Sequence, residues 1–87
     1  MFVILCYDAA ADHAARIRET AKKYLQGVQQ SVFEGFLTEA QLHRLQTELE
    51  HAVDVSKDAV VFYIIENGKQ VRKDSLGAVN ESAHDIL

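Results

Sequence analysis

The chain opens on an apolar block, Phe2-Val3-Ile4-Leu5-Cys6-Tyr7, that runs without polar alternation and stops at Asp8. A block so short, rich in β-branched and aromatic side chains, predicts a strand buried on both faces and therefore central in its sheet. From residue 12 to residue 26 the spacing becomes helical. Ala14, Ile17, Ala21, Tyr24 and Leu25 share one face, Arg16 and Lys23 lie off it, and Gly27 is placed to end the helix. Residues 28–37 have strand composition but are long for one strand, so two short strands joined tightly are expected, with a bulge or bend at Gly35. Thr38-Glu39-Ala40-Gln41 has capping-box spacing and starts a second helix with Leu42, Leu45, Leu49, Ala52 and Val53 on its buried stripe. Arg44, Thr47, Glu48 and His51 lie elsewhere on that helix. Residues 59–65, Ala-Val-Val-Phe-Tyr-Ile-Ile, predict another strand. Asn67-Gly68 is a type I′ hairpin signal, and residues 69–73 are the expected return strand.

The order β, α, β, β, α, β is that of an α+β ferredoxin-like fold with both helices on one face of the sheet, here followed by one extra C-terminal strand. Residues 1–73 form the expected single domain, and residues 74–87, polar with scattered Leu76, Val79, Ile86 and Leu87, read as a tail that is loose or docked on a partner. The hairpin would extend the sheet and leave an exposed edge, a feature that predicts a homodimer joined there.

With 87 residues, a single domain of this size buries only roughly 60% of its unfolded surface, so a partner subunit adds stability. The net charge of −4 argues against a protein that coats nucleic acid generally. Local basic groupings remain: Arg16, Arg18, Lys22 and Lys23 in the first thirty residues, and Lys69, Arg72 and Lys73 near the second hairpin. Solvated charge on exposed faces is the commoner explanation for such groupings. Cys6 has no second cysteine to pair with, which fits a reducing compartment. The first apolar block has neither a basic start nor a small-residue cleavage site, so the expectation is a cytoplasmic protein without a membrane partner.

Two readings of Asp8 stand on spacing alone. It caps the first helix through its side chain, or it ligates Mg²⁺, a cation commonly held by one or two carboxylates together with waters and phosphates. A two-fold axis that brought two copies of Asp8 together would strengthen the second. His13, His43, His51 and His84 offer no ligand spacing and read as solvated surface histidines, and Ser31 has no His-Asp company. Dinucleotide, P-loop, CxxC and RRM signatures are missing. Phe33 and Phe36 suit either base stacking or the core.

Three segments, read in order, carry a resemblance: Met1-Phe2-Val3-Ile4-Leu5-Cys6-Tyr7-Asp8, then Val28-Gln29-Gln30-Ser31-Val32-Phe33-Glu34-Gly35, then Leu37-Thr38-Glu39-Ala40-Gln41-Leu42. Together they resemble the small CRISPR-associated adaptation proteins of the Cas-two family over about residues 1–66. The resemblance implies a homodimer in which the C-terminal strand ties each subunit to its neighbour's sheet. It also implies that the two Asp8 side chains lie near the dimer axis as metal-binding and catalytic acids for a Mg²⁺-dependent endonuclease acting on RNA or DNA. Tyr7, Ser31 and Phe33 fall in the matching motifs and would shape that site. The family role it implies is to bridge the CRISPR integrase on DNA during spacer capture. A non-catalytic scaffold that tracks duplex DNA with Arg16, Arg18 and Lys22 is the alternative mechanism. A toxin-like ribonuclease of the VapD kind and a ligand-binding regulatory domain are readings from other classes.

Overall fold

The structure, a computed structural model, describes residues 1–66 and 70–78. Its elements are β1 (Phe2–Asp8), α1 (Ala11–Ala21), β2 (Gln26–Gln29), β3 (Val32–Phe36), α2 (Glu39–Glu50), β4 (Ala59–Glu66) and β5 (Gln70–Gly77). The five strands form one antiparallel sheet in the order β2-β3-β1-β4-β5, with β1 central as expected. This is the ferredoxin-like arrangement plus one strand.

Alternation along β1 divides the sheet into two faces. Val3, Leu5 and Tyr7 point into a core that also holds Phe33, Val60, Phe62 and Ile64 from the sheet and Ile17, Ala21, Leu42, Leu45 and Leu49 from the helices. Each fully buried aliphatic side chain contributes about 1.5–3 kcal/mol relative to exposure. Phe2, Ile4 and Cys6 point to the other face, and there the expectation of burial on both sides needs correction. No helix covers that face among the described residues; Phe2 and Ile4 are partly exposed, and Phe36, edge-on to Phe2 at 5.0 Å between ring centroids, is 79% exposed. Cys6 and its strand neighbour Val61 are fully buried there, and burial pushes the Cys6 thiol up to about 11, so it stays protonated at neutral pH.

Thr38 and Gln41 form the capping box that the spacing predicts: Gln41 N–H donates to the Thr38 hydroxyl at 3.1 Å, and Thr38 N–H to the Gln41 side chain at 2.9 Å. The first helix is shorter than expected. It ends at Ala21, and residues 22–25 form a turn that still buries Leu25 and leaves the Tyr24 hydroxyl donating to Glu48 on α2. Gly27 therefore lies in β2 and not at a helix end, packed closely against the Phe33 ring. The bulge expected at Gly35 falls instead between Gly27 and Gln29.

The expected turn at Asn67-Gly68, together with Lys69, lies outside the described residues, as do residues 79–87. β5 continues past residue 73 to Gly77, because its polar side chains find partners on the helix side: Arg72 donates to Glu39 at 3.3 Å, and Asp74 accepts from Gln46 at 2.9 Å.

The end of β5 is fastened to Asp58, a carboxylate only 1% exposed. Its Oδ2 accepts from the Asp54 N–H and from His13 Nδ1, each at 2.8 Å, and its backbone carbonyl accepts from the Ala78 N–H at 2.7 Å. Gly77 has φ +84°, and a Cβ there would run into that carbonyl. His13 is thus half-buried and bonded, unlike the solvated histidine expected of it. Asp58→Ala is expected to leave the Asp54 N–H and His13 without their acceptor and to lower stability by about 1–3 kcal/mol. Urea denaturation would read this as a lower midpoint at unchanged slope.

Candidate nucleic-acid and metal site

Asp8 is the last residue of β1 and pairs with Ala59 at the start of β4. It is exposed, and its carboxylate has no ion-pair partner among the described residues. The capping alternative does not hold: the residue that caps α1 is Ala10, and no side chain makes a capping bond there. Asp8 lines a concavity of about 390 Å³ whose walls are the α1 residues Ala11, Ala14, Ala15 and Arg18 and the β2–β3 turn residues Gln30 and Ser31. Three alanines at helical spacing leave this wall low, so backbone and small side chains stand next to the carboxylate.

Tyr7 holds the turn in place. Its hydroxyl donates to the Gln30 carbonyl at 3.1 Å and its N–H to the Ser31 carbonyl at 3.2 Å, while its ring stacks on Phe33 with centroids 6.3 Å apart. Burial pushes the Tyr7 hydroxyl above its ordinary value, and the nearby Arg18 guanidinium pulls it partly back. Phe33 is 3% exposed, a core residue and not a stacking platform.

Arg18 also lines a second concavity of about 360 Å³, with Lys22 on one wall and Gly27, Val28 and Gln29 of β2 on the other. Lys22 pairs with Glu19 at 3.3 Å between exposed side chains, a contact weak enough to be exchanged for a phosphate. The structure therefore brings Asp8, Tyr7, Ser31, Arg18 and Lys22 along one tract of surface. Arg16 is set apart, in a groove between the helices lined by Thr20, His51 and Ala52. Gln30 and the alanine wall were not singled out by sequence reasoning; the i, i+3, i+4 spacing of Ala11, Ala14 and Ala15 is the signal that could have found them.

For a divalent cation, Asp8 supplies one unencumbered carboxylate, a hard oxygen donor suited to Mg²⁺, beside a space wide enough for waters and a phosphate. No three His, Cys, Asp or Glu side chains converge among the described residues, so Asp8 is the donor one chain offers at this place.

A ferredoxin-like domain with a free acidic strand end beside a cation-lined groove defines the class. Comparison with known proteins narrows it. The family model for CRISPR associated protein Cas2 matches residues 1–73. A CRISPR-associated endoribonuclease Cas2 of Thermodesulfovibrio yellowstonii is 41% identical over 99% of this chain and 98% of its own length. One from Dictyoglomus turgidum is 36% identical over the full length of both. Among solved structures, a Cas2 crystal structure at 40% identity superposes with a TM-score of 0.69 over 72% of this chain and 71% of its own. Streptococcus pyogenes Cas2 at pH 6.5, 26% identical, gives a TM-score of 0.69 over 76% and 87%. The chain belongs to the CRISPR-associated Cas2 family. No helix among the described residues is long and apolar enough to cross a membrane.

Tyr7→Phe removes the bond that pins the β2–β3 turn and is expected to lower stability by about 1 kcal/mol. Thermal unfolding measures the loss, and amide exchange at residues 30 and 31 should rise with it.

Proposed function

We propose that the chain is a homodimeric, Mg²⁺-dependent endonuclease of CRISPR spacer acquisition, cutting phosphodiester bonds in RNA or DNA in the cytoplasm, and that the same dimer bridges the CRISPR integrase on DNA. The observation that carries the nuclease reading is the state of Asp8: exposed, without an ion-pair partner among the described residues, and not spent on capping α1. The related proteins named above are endoribonucleases by name, which supports the same reading. The partly exposed apolar face of the sheet, with Phe36 at 79% and Val71 at 60%, supports a second copy as its cover.

In this reading Asp8 of each subunit holds the cation near the two-fold axis. Bound there, Mg²⁺ supplies Lewis acidity toward a phosphoryl oxygen and eases the deprotonation of water. Arg18 and Lys22 neutralise the phosphates on either side of the scissile bond. Tyr7 and Ser31 keep the β2–β3 turn from closing over the carboxylate, and the alanine wall admits the sugar-phosphate backbone.

Cleavage of labelled RNA and duplex DNA should require Mg²⁺, stop with EDTA, and fall at least about a hundredfold in Asp8→Ala, since removal of a group that acts in the transition state typically costs this much. Equal cutting by wild type and variant would remove the nuclease reading and leave the scaffold.

The scaffold reading is favoured by one further observation, the alignment of Arg18 and Lys22 along a single groove. Arg18→Ala with Lys22→Ala is expected to weaken duplex binding and to lower the salt slope of log K by roughly 2. Arg16→Ala, in the other groove, should change binding far less; fluorescence anisotropy across a salt series measures all three.

A further inference from the structure

Strand register fixes the layout of the open sheet face. One row across it reads Phe36, Phe2, Ile65 and Val71; the next reads Glu34, Ile4, Tyr63 and Lys73; the third reads Val32, Cys6, Val61 and Ser75. From β3 to β5 the only charged side chains in these rows are the two in the middle row, a carboxylate on β3 and an ammonium on β5; Ser75 and the Tyr63 hydroxyl are the other polar groups there, and β2 continues the middle row with Gln26 beyond Glu34. Neither Glu34 nor Lys73 has an ion-pair partner among the described residues. Lys73 lies over the Tyr63 ring, 5.8 Å from its centroid, and the Tyr63 hydroxyl is shielded without a hydrogen-bond partner. The middle row thus has unmet polar groups set in an apolar field.

We infer that Glu34 and Lys73 are the charges by which two copies of this chain recognise each other, Glu34 of each subunit meeting Lys73 of the partner subunit. The inference rests on the homodimer proposed above and names the surface and register that build it. Two sheets stacked face to face lie about 10 Å apart, and neighbouring strands about 4.8 Å. A two-fold axis lying between the sheets, along the strand direction and midway between β1 and β4, reverses the order of strands from one subunit to the other. Glu34 and Lys73 each lie roughly 7 Å from that midline, on opposite sides, so each comes to stand over the other's opposite charge. A long side chain from each sheet spans the gap.

Other axes fail this test. An axis along β1 sets Glu34 over the partner's Tyr63, and an axis along β4 sets Lys73 over the partner's Ile4. An axis running across the strands through this row sets Glu34 over Glu34 of the partner subunit and lysine over lysine. Opposite charges at the flanks of an apolar face therefore select one axis, since like charges facing each other oppose association. That axis has a consequence at the site. It keeps both Asp8 carboxylates at the same end of the interface, whereas an axis across the strands would send them to opposite ends.

Charge reversal tests the pair. Glu34→Lys leaves only ammonium groups at the two positions, and Lys73→Glu only carboxylates, so each variant should repel its own copy. Sedimentation equilibrium near 0.15 M salt is expected to give dimer dissociation constants weaker than wild type by about tenfold or more for each single variant. The double variant should return to within about threefold of wild type, and an equimolar mixture of the two single variants should form a heterodimer tighter than either alone. Circular dichroism and thermal melting establish that each variant is folded. Wild type that stays monomeric at high concentration would overturn the homodimer itself. Dimeric wild type with single variants that associate equally well would overturn the charged pair alone. Single variants that are weakened but gain nothing on mixing would overturn pairing across subunits and point to association through the β5 edge.

Discussion

The antiparallel pairing of β1 on both sides is the constraint from which the rest of the molecule follows. β1 is held by β3 along one edge and by β4 along the other, so its register is specified twice. A strand fixed in this way cannot slip by one residue without exchanging Val3, Leu5 and Tyr7 for Phe2, Ile4 and Cys6 in the core. The same alternation decides where the chemistry goes. Tyr7 points inward, where its hydroxyl can pin the β2–β3 turn, and Asp8, the next residue, stands exposed at the strand end beside the first turns of α1.

Around this centre the helices are tied down by polar contacts as well as by their leucines. Lys23 and Tyr24, just past α1, both donate to Glu48 on α2, and these bonds hold the Glu48 carboxyl below the usual range. Arg72 reaches from β5 to Glu39 at the start of α2, with Glu66 and Asp74 also near its guanidinium. A domain with so small a core gains from such ties less in energy than in definition, because exposed ion pairs are individually weak. They set which helix face meets which strand.

Local chemistry explains what the sequence made legible. The capping box at Thr38 and Gln41, the apolar runs of β1 and β4, and the leucine stripe of α2 are each decided by residues close together in the chain, and the pattern suffices to find them. Asp8 could be picked out in the same way, as an acid at a strand end, although its freedom from the helix cap could not. The misread features depend on distant partners. Tyr24 and Leu25 continue the helical spacing of α1, yet they belong to a turn, because β2 must start at Gln26 to pair with Glu34. His13 looks like a surface residue until Asp58, 45 positions later, arrives beside it. Asp74 reads as the start of a polar tail because nothing local announces its bond to Gln46. Arg16 and Arg18 are two residues apart and so face different grooves, a distinction that a count of basic residues hides.

The Asp58 junction gives the molecule a load path. Tension applied where the chain leaves β5 reaches the Ala78 N–H and passes to the Asp58 carbonyl. From there it divides, through the Asp58 carboxylate to Asp54 and His13, and through the peptide bond to Ala59, the strand neighbour of Asp8. A tug on the carboxyl-terminal exit is therefore delivered to the floor of the acidic strand end, and the two places behave as parts of one mechanical linkage.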